Sequence, residues 1–241
     1  MATYLATVAI GRFELRRSVA AGFPSWVAVD SRQRDEGAMS RTGAVLDLFG
    51  DTFGAYPFES TGGIVDSSPT FGVALETQTR PVYPDPPDSV LVAHELAHQW
   101  FGNSVSLERW RDIWLNEGFA TWAEWWWVEH NGGPTVHRTF RREYETPASR
   151  HSFWEPPPAI PAPAELFAIS VYVRGAMTLQ ALREKIGDAT FMRILRRWVS
   201  EHAYGNATTD EFVALAESES GLELGEFFSV WLYEPGKPKS W

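Results

Sequence analysis

The 241 residues contain no cysteine, which rules out disulfides and any thiolate metal site and fits a reducing, cytoplasmic compartment. Lysine is scarce too, three residues against eighteen arginines, and no basic run exceeds Arg141-Arg142 or Arg196-Arg197. With a net charge of −10, binding to a phosphate backbone is disfavoured and no nucleic-acid partner is expected. No apolar stretch approaches the roughly twenty residues that a membrane span requires, so no membrane association is expected either. Met1 runs directly into a strand-like segment without a basic leader, so no signal peptide is expected. A chain of this length can bury one substantial core, or form one domain with two lobes around a cleft.

What the chain does contain is H-E-L-A-H at 94–98, followed by N-E-G-F-A at 116–120. On a helix, residues four apart share a face, so His94 and His98 can direct two imidazoles at one ion. Glu95 is rotated off that face; it cannot ligate in the same way but can reach a water at the metal. Glu117 follows His98 after a gap that accommodates a turn and a returning helix. Two neutral imidazoles and one carboxylate leave a fourth tetrahedral position for water, the open arrangement of a catalytic zinc ion, and one Zn2+ is expected. Two surface histidines on a solvated helix would produce the same letters. The apolar flanks argue against that: Val90, Leu91 and Val92 precede the motif, and Trp100 and Phe101 follow it. Glu117 also lies in an apolar run, where a lone carboxylate is costly unless paired or bound to metal.

Other acids compete for the third ligand position, namely Glu108, Asp112 and Glu124. The metzincin pattern is absent, since Ser104 stands where its third histidine would be. Glu117, Thr121 and Glu124 share one helical face. The expectation is that Glu117 ligates, while Glu124 or Thr121 holds a ligand imidazole in its metal-binding tautomer.

Strand-like stretches come first, at residues 3–10 and 13–19, turning at Gly11, then at 26–30, 64–65 and 70–79. Helical spacing occupies 35–53. After a proline-rich bend at 81–87, Asp88 and Ser89 can cap the H-E-L-A-H helix. Helices are then predicted at about 111–131, 134–144, 172–186, 188–203, 209–219 and 223–233, with a polyproline-like link at 156–163. The order predicts an α+β domain over 1–241: a mixed-sheet lobe over about 1–87, a mainly helical lobe over 88–241, and the zinc site between them. The tryptophans around 122–127 read as core packing, with a peptide side-chain pocket as the rival.

H-E-L-A-H-Q-W-F-G-N (94–103) followed by W-L-N-E-G-F-A (114–120) resembles the zinc aminopeptidases that include aminopeptidase N and the leukotriene hydrolases, gluzincin metallopeptidases with a thermolysin-like catalytic domain. A-L-E-T (74–77) occupies the position of that family's G-A-M-E-N, and Y-V-R-G-A (172–176) that of its Y-x-K-G-A. The resemblance implies that Glu76 binds the free α-amino group of a peptide substrate and that Tyr172 hydrogen-bonds the tetrahedral oxyanion. It also implies a β-rich N-terminal domain that this chain lacks, and weak activity in its absence. Val73, Leu75, Thr77 and Arg174 depart from the family's glycine, methionine, asparagine and lysine.

The function so implied is zinc-dependent removal of N-terminal residues from peptides, with Glu95 as general base and then acid. A thermolysin-type endopeptidase, lacking the amine anchor, is the nearest alternative. A non-catalytic, zinc-containing peptide-binding domain is the alternative from another class.

Overall fold

In the computed structural model, which describes residues 2–33, 35–67, 72–145 and 151–239, the chain opens on strands and continues mainly as helices. Strands β1 (Phe13–Ala20) and β2 (Phe23–Asp30) form an antiparallel hairpin. Its two-residue turn is Ala21-Gly22, both at positive φ (49° and 84°), the backbone twist that matches that of the flanking strands. Helix α1 (Thr42–Phe53) crosses over to β3 (Thr61–Val65), which lies parallel to β2. The two-residue β4 (Val82–Tyr83) is parallel to β3, giving a mixed sheet in the order β1-β2-β3-β4.

Helix α2 (Ser89–Ala97) follows, then β5 (Ser106–Leu107), α3 (Trp114–His130), α4 (Val136–Tyr144), the single turn α5 (His151–Trp154) and α6 (Ile169–Ile186). The chain continues through α7 (Asp188–Glu201), β6 (Asn206–Ala207), which pairs with β5, then α8 (Thr209–Ser220) and the short α9 (Gly225–Phe228). A π turn at Ser229–Tyr233 completes the last segment that had been expected as one helix. No helix among the described residues is long and apolar enough to cross a membrane.

The core is aromatic, and its tryptophans are part of the packing. Trp122, Trp125 and Trp127 are buried on α3, while Trp126 stacks on Trp122 at 5.4 Å. Two of their polar edges are satisfied internally: Trp122 Nε1 donates to Gln180 and Trp126 Nε1 to Thr52. Trp100, directly after the histidine helix, donates to the Gly54 carbonyl at 2.9 Å and meets Phe49, Phe53 and Tyr56 edge-on. The aromatic layer thus fixes α2 against α1.

Three expectations are corrected. Residues 3–10 do not form a strand: they hold one 3₁₀ turn, Thr3–Leu5, and then run irregularly with Val8 and Ile10 exposed. The alternation of apolar residues was present, but the edge of β1 has no ladder with it. What fixes this segment is Leu5, buried, with its carbonyl accepting from Gln78 N at 3.2 Å. Of the strand expected at 70–79, Thr70 and Phe71 lie outside the described residues. The remainder makes only an isolated antiparallel bridge, Leu75 to Val82, because the backbone turns back at once (Thr77 N to the Leu75 carbonyl, 2.8 Å; Arg80 N to the Thr77 carbonyl, 3.2 Å). The helix expected over 35–53 also divides, into a 3₁₀ turn at Gly37–Arg41 and α1.

Candidate metal centre

Helix α2 starts where Asp88 accepts the backbone N–H groups of Val90 and Leu91 (3.0 and 2.9 Å), satisfying two donors that the first turn leaves unpaired. Its apolar residues Val92, Ala93, Leu96 and Ala97 are fully buried, so the helix lies inside the molecule and takes its polar side chains with it. His94 and His98 sit one turn apart, and their Nε2 atoms approach to 3.1 Å. The opposite nitrogens are held by acceptors: His94 Nδ1 meets Glu124 Oε1 at 2.6 Å, and His98 Nδ1 meets the Phe101 carbonyl at 3.1 Å. In the neutral rings, Nδ1–H donated to each of these acceptors would leave both Nε2 lone pairs facing each other, an arrangement that a cation between them would satisfy.

Glu117 supplies the third side. It lies in the first turn of α3, buried, where the unpaired N–H groups of the helix favour a carboxylate. Its Oε2 is 3.4 Å from His94 Nε2 and 3.3 Å from His98 Nε2. Ligands at zinc distances of about 2.0–2.1 Å in a tetrahedron are about 3.3 Å apart. The three protein atoms make a triangle with edges of 3.1, 3.3 and 3.4 Å, which fits such an ion without rearrangement. In the metal-free protein, burial alone would raise the Glu117 pKa, but the His98 charge and the imidazole hydrogen bonds outweigh it and hold the carboxyl below its ordinary range.

Of the rival acids, Asp112 accepts from the Thr209 hydroxyl at 2.6 Å, and Glu108 is half exposed beside Arg109. The residue bonded to an imidazole of the triangle, that of His94, is Glu124; among the described residues Thr121 forms no hydrogen bond to either histidine, though it is buried on the same helix.

Glu95 is buried beside the triangle, and its Oε2 has no hydrogen-bond partner. Burial pushes its carboxyl up to about 7, against the opposing pull of the two imidazoles. Glu76, Glu95 and His98 bring their polar atoms within 4.8 Å of one another, so the carboxylate of the A-L-E-T segment reaches the same place. The Glu76 backbone is held by Asn103, whose Nδ2 donates to its carbonyl at 2.9 Å, and its carboxylate by the Tyr4 hydroxyl, also at 2.9 Å. Tyr172 stacks on His94 with ring centroids 6.1 Å apart and 21° between planes. Burial and the nearby Glu117, Glu76 and Glu95 raise its phenol pKa, so it remains a protonated donor.

The helix carrying Tyr172 is tied down by Arg174. This fully buried guanidinium donates to the carbonyls of Trp154 (2.7 Å), Val230 (3.0 Å), Trp231 (2.9 Å) and Glu234 (2.7 Å). The π turn leaves those late carbonyls available. Burial lowers the Arg174 pKa to about 10, still far above neutrality.

Sequence reasoning therefore named the residues now found together, His94, Glu95, His98, Glu117, Glu124, Glu76 and Tyr172. It missed Tyr4 and Asn103. Asn103 was quoted within the H-E-L-A-H-Q-W-F-G-N run, but nothing local signalled its reach to Glu76. Tyr4 sits 72 residues from its partner in a stretch that resembled a strand.

The description of the peptidase family M1 domain fits residues 87–231, and the chain belongs to peptidase family M1. It is 30% identical to Aminopeptidase M1-B of Oryza sativa subsp. japonica, over 99% of this chain and 30% of that protein. It is 29% identical to the Glutamyl aminopeptidase of Sus scrofa, over 99% of this chain and 28% of that one. This chain thus spans under a third of the length of these curated relatives. Among solved structures, it superposes with a TM-score of 0.83 and 29% identity on a glutamate-to-alanine mutant of an M1 zinc metallopeptidase from Deinococcus radiodurans, bound to a Tyr-Ser-Ala substrate. That match covers 95% of this chain and 54% of the other. The mixed sheet and the helices following it are the fold of an M1 metallopeptidase domain.

Proposed function

We propose that this chain is the catalytic domain of a zinc-dependent aminopeptidase, thermolysin-like in fold, with the metal held between the sheet and the helices by His94, His98 and Glu117. The observation that carries the proposal is the 3.1–3.4 Å triangle of ligand atoms with both Nδ1 atoms already engaged. Zinc bound there supplies Lewis-acid chemistry, polarising a scissile carbonyl and making water more acidic. Glu95, with a carboxylate oxygen free of partners, takes the proton from the attacking water and delivers it to the leaving amine. Tyr172 donates its phenol O–H to the carbonyl oxygen as negative charge develops there. Glu76 accepts from the substrate's α-ammonium, a charge-assisted contact that fixes the chain end next to the attacked bond.

The names of the relatives, and the tripeptide bound to the Deinococcus radiodurans protein, support a peptide substrate. Relatives more than three times as long leave room for the β-rich domain implied by the resemblance, so this chain is assayed with and without such a domain supplied in trans. The test combines metal analysis with hydrolysis of an aminoacyl anilide and of its N-acetyl counterpart. The expected result is one zinc per chain and cleavage confined to the free amine. Equal cleavage of internal bonds in N-blocked peptides would favour an endopeptidase, and zinc without hydrolysis even with the β-rich domain supplied would favour a binding domain.

A further inference from the structure

Glu76 approaches the metal triangle from a segment with little secondary structure of its own, bridged only at Leu75 to Val82. A carboxylate that is to read an ammonium must nevertheless be held still. Its main chain is fixed by Asn103, but that bond leaves the side-chain rotamer free. The side chain is fixed from the other end of the sequence by Tyr4 Oη, which donates to Glu76 Oε1 at 2.9 Å.

The phenol is itself well anchored. Its ring lies 5.1 Å from that of Trp110, Leu5 beside it is buried, and the Leu5 carbonyl accepts from Gln78 N on the Glu76 segment. The 3₁₀ turn Thr3–Leu5 and the loop carrying Glu76 are therefore fastened at two points, one backbone and one side chain. A cavity of about 380 Å³ whose lining includes Gly102, Leu107, Trp110, Asn116 and Asn206 adjoins Tyr4. Asn116 in turn neighbours the ligand Glu117 in sequence, so the Tyr4 ring sits between the amine anchor and the start of α3.

Resting on the aminopeptidase reading, we propose that Tyr4 is the positioning residue of amine recognition. Its hydroxyl occupies one oxygen of Glu76 and sets the carboxylate's rotation, leaving the other oxygen to accept an N–H of the substrate α-ammonium. Selectivity for a free N-terminus then depends on two residues from opposite ends of the sheet-bearing part of the chain. A hydrogen bond to a charged partner contributes enough for its loss to read as roughly a tenfold change.

The test is calorimetric binding of an amino-acid amide and of its N-acetyl derivative to the zinc-loaded protein, in Tyr4→Phe, Glu76→Gln and the double variant. Tyr4→Phe keeps the ring on Trp110 and removes only the hydroxyl. It is expected to weaken the free amine about tenfold, leave the N-acetyl compound within twofold, and leave zinc content unchanged. In the Glu76→Gln background the same substitution should change amine binding less than twofold. Amine affinity unaltered in Tyr4→Phe, or an undiminished tenfold loss in the Glu76→Gln background, would overturn the assignment. A parent protein that binds amine and N-acetyl compound alike would instead remove the aminopeptidase reading beneath it. For hydrolysis of an aminoacyl anilide, the loss should fall on KM, with kcat within about twofold.

Discussion

Gly118 and Gly175 face each other backbone to backbone where α3 crosses α6. A Cβ built on Gly118 would lie 2.9 Å from the Gly175 carbonyl carbon, and one on Gly175 would lie 3.0 Å from Gly118 Cα. Each glycine lies close in sequence to a residue of the candidate site, Gly118 one residue after Glu117 and Gly175 three after Tyr172. The close crossing is what lets the Glu117 carboxylate on one helix and the Tyr172 phenol on the other meet over His94.

Substituting either glycine by alanine places a methyl against main chain that cannot turn aside. Gly118→Ala and Gly175→Ala are each expected to cost about 1–3 kcal/mol of stability by overpacking. Thermal denaturation measures the cost. Hydrolysis should fall beyond what unfolding explains, because the helices can accommodate the methyl only by separating Glu117 from Tyr172. An unchanged Tm in both variants would contradict the packing described.

Glu124 and Thr121 are separated by a metal-affinity measurement. Glu124→Ala deletes the acceptor that orients His94, and affinity for zinc should fall about 10- to 100-fold. Thr121→Val should leave it within about twofold, whereas Glu117→Ala removes a ligand and should abolish stoichiometric uptake. The reverse order for Glu117 and Glu124 would exchange their roles.

Glu95→Gln preserves shape and removes proton transfer. Hydrolysis of an aminoacyl anilide is expected to drop by a factor on the order of 10²–10⁴, with zinc content equal to that of the parent. Retention of most of the activity would rule out Glu95 as the base.

The metal-free protein should respond to pH in a direction set by its buried groups. Burial alone would lower the His98 pKa, but Glu117 outweighs it and lifts it from 6.5 to about 9, while burial lifts Glu95 from 4.5 to about 7. Both folded values exceed the unfolded ones. The stability these groups contribute is therefore complete below the unfolded values and is lost as pH rises through about 7 and then about 9. Glu117, depressed in the fold, acts oppositely and only in acid, its contribution fading as pH falls below 4.5. Metal uptake needs neutral imidazoles and improves over the same rise in pH. The gain in Tm on adding zinc should consequently grow from about pH 6 to about pH 9, which parallel melts with and without zinc will show. A gain that shrinks over that interval would contradict the assignment.

The parts of the fold legible in sequence were those with a local cause. H-E-L-A-H announced itself because helical periodicity puts His94 and His98 on one face whatever surrounds them, and Asp88 could be read as a cap because capping involves only neighbours. Residues 3–10 were misread because alternation of apolar side chains is necessary for a strand but does not supply a pairing edge. Tyr4 was invisible for a related reason: its meaning lies in Glu76, and nothing in either neighbourhood refers to the other. Arg174 could be noted as a substitution for lysine, but its four carbonyl partners come from segments 20 and 56–60 residues away.

The Arg174 tether has a mechanical corollary. Tyr172 and Arg174 lie two residues apart on α6, so the stretch at 230–234 and the short turn ending at Trp154 are moored to the strut that aims the phenol. A proteolytic nick or a bulky insertion there, remote from zinc in sequence, would leave a buried cation without its ring of oxygens. The disturbance would register first as a displaced Tyr172 hydroxyl beside His94.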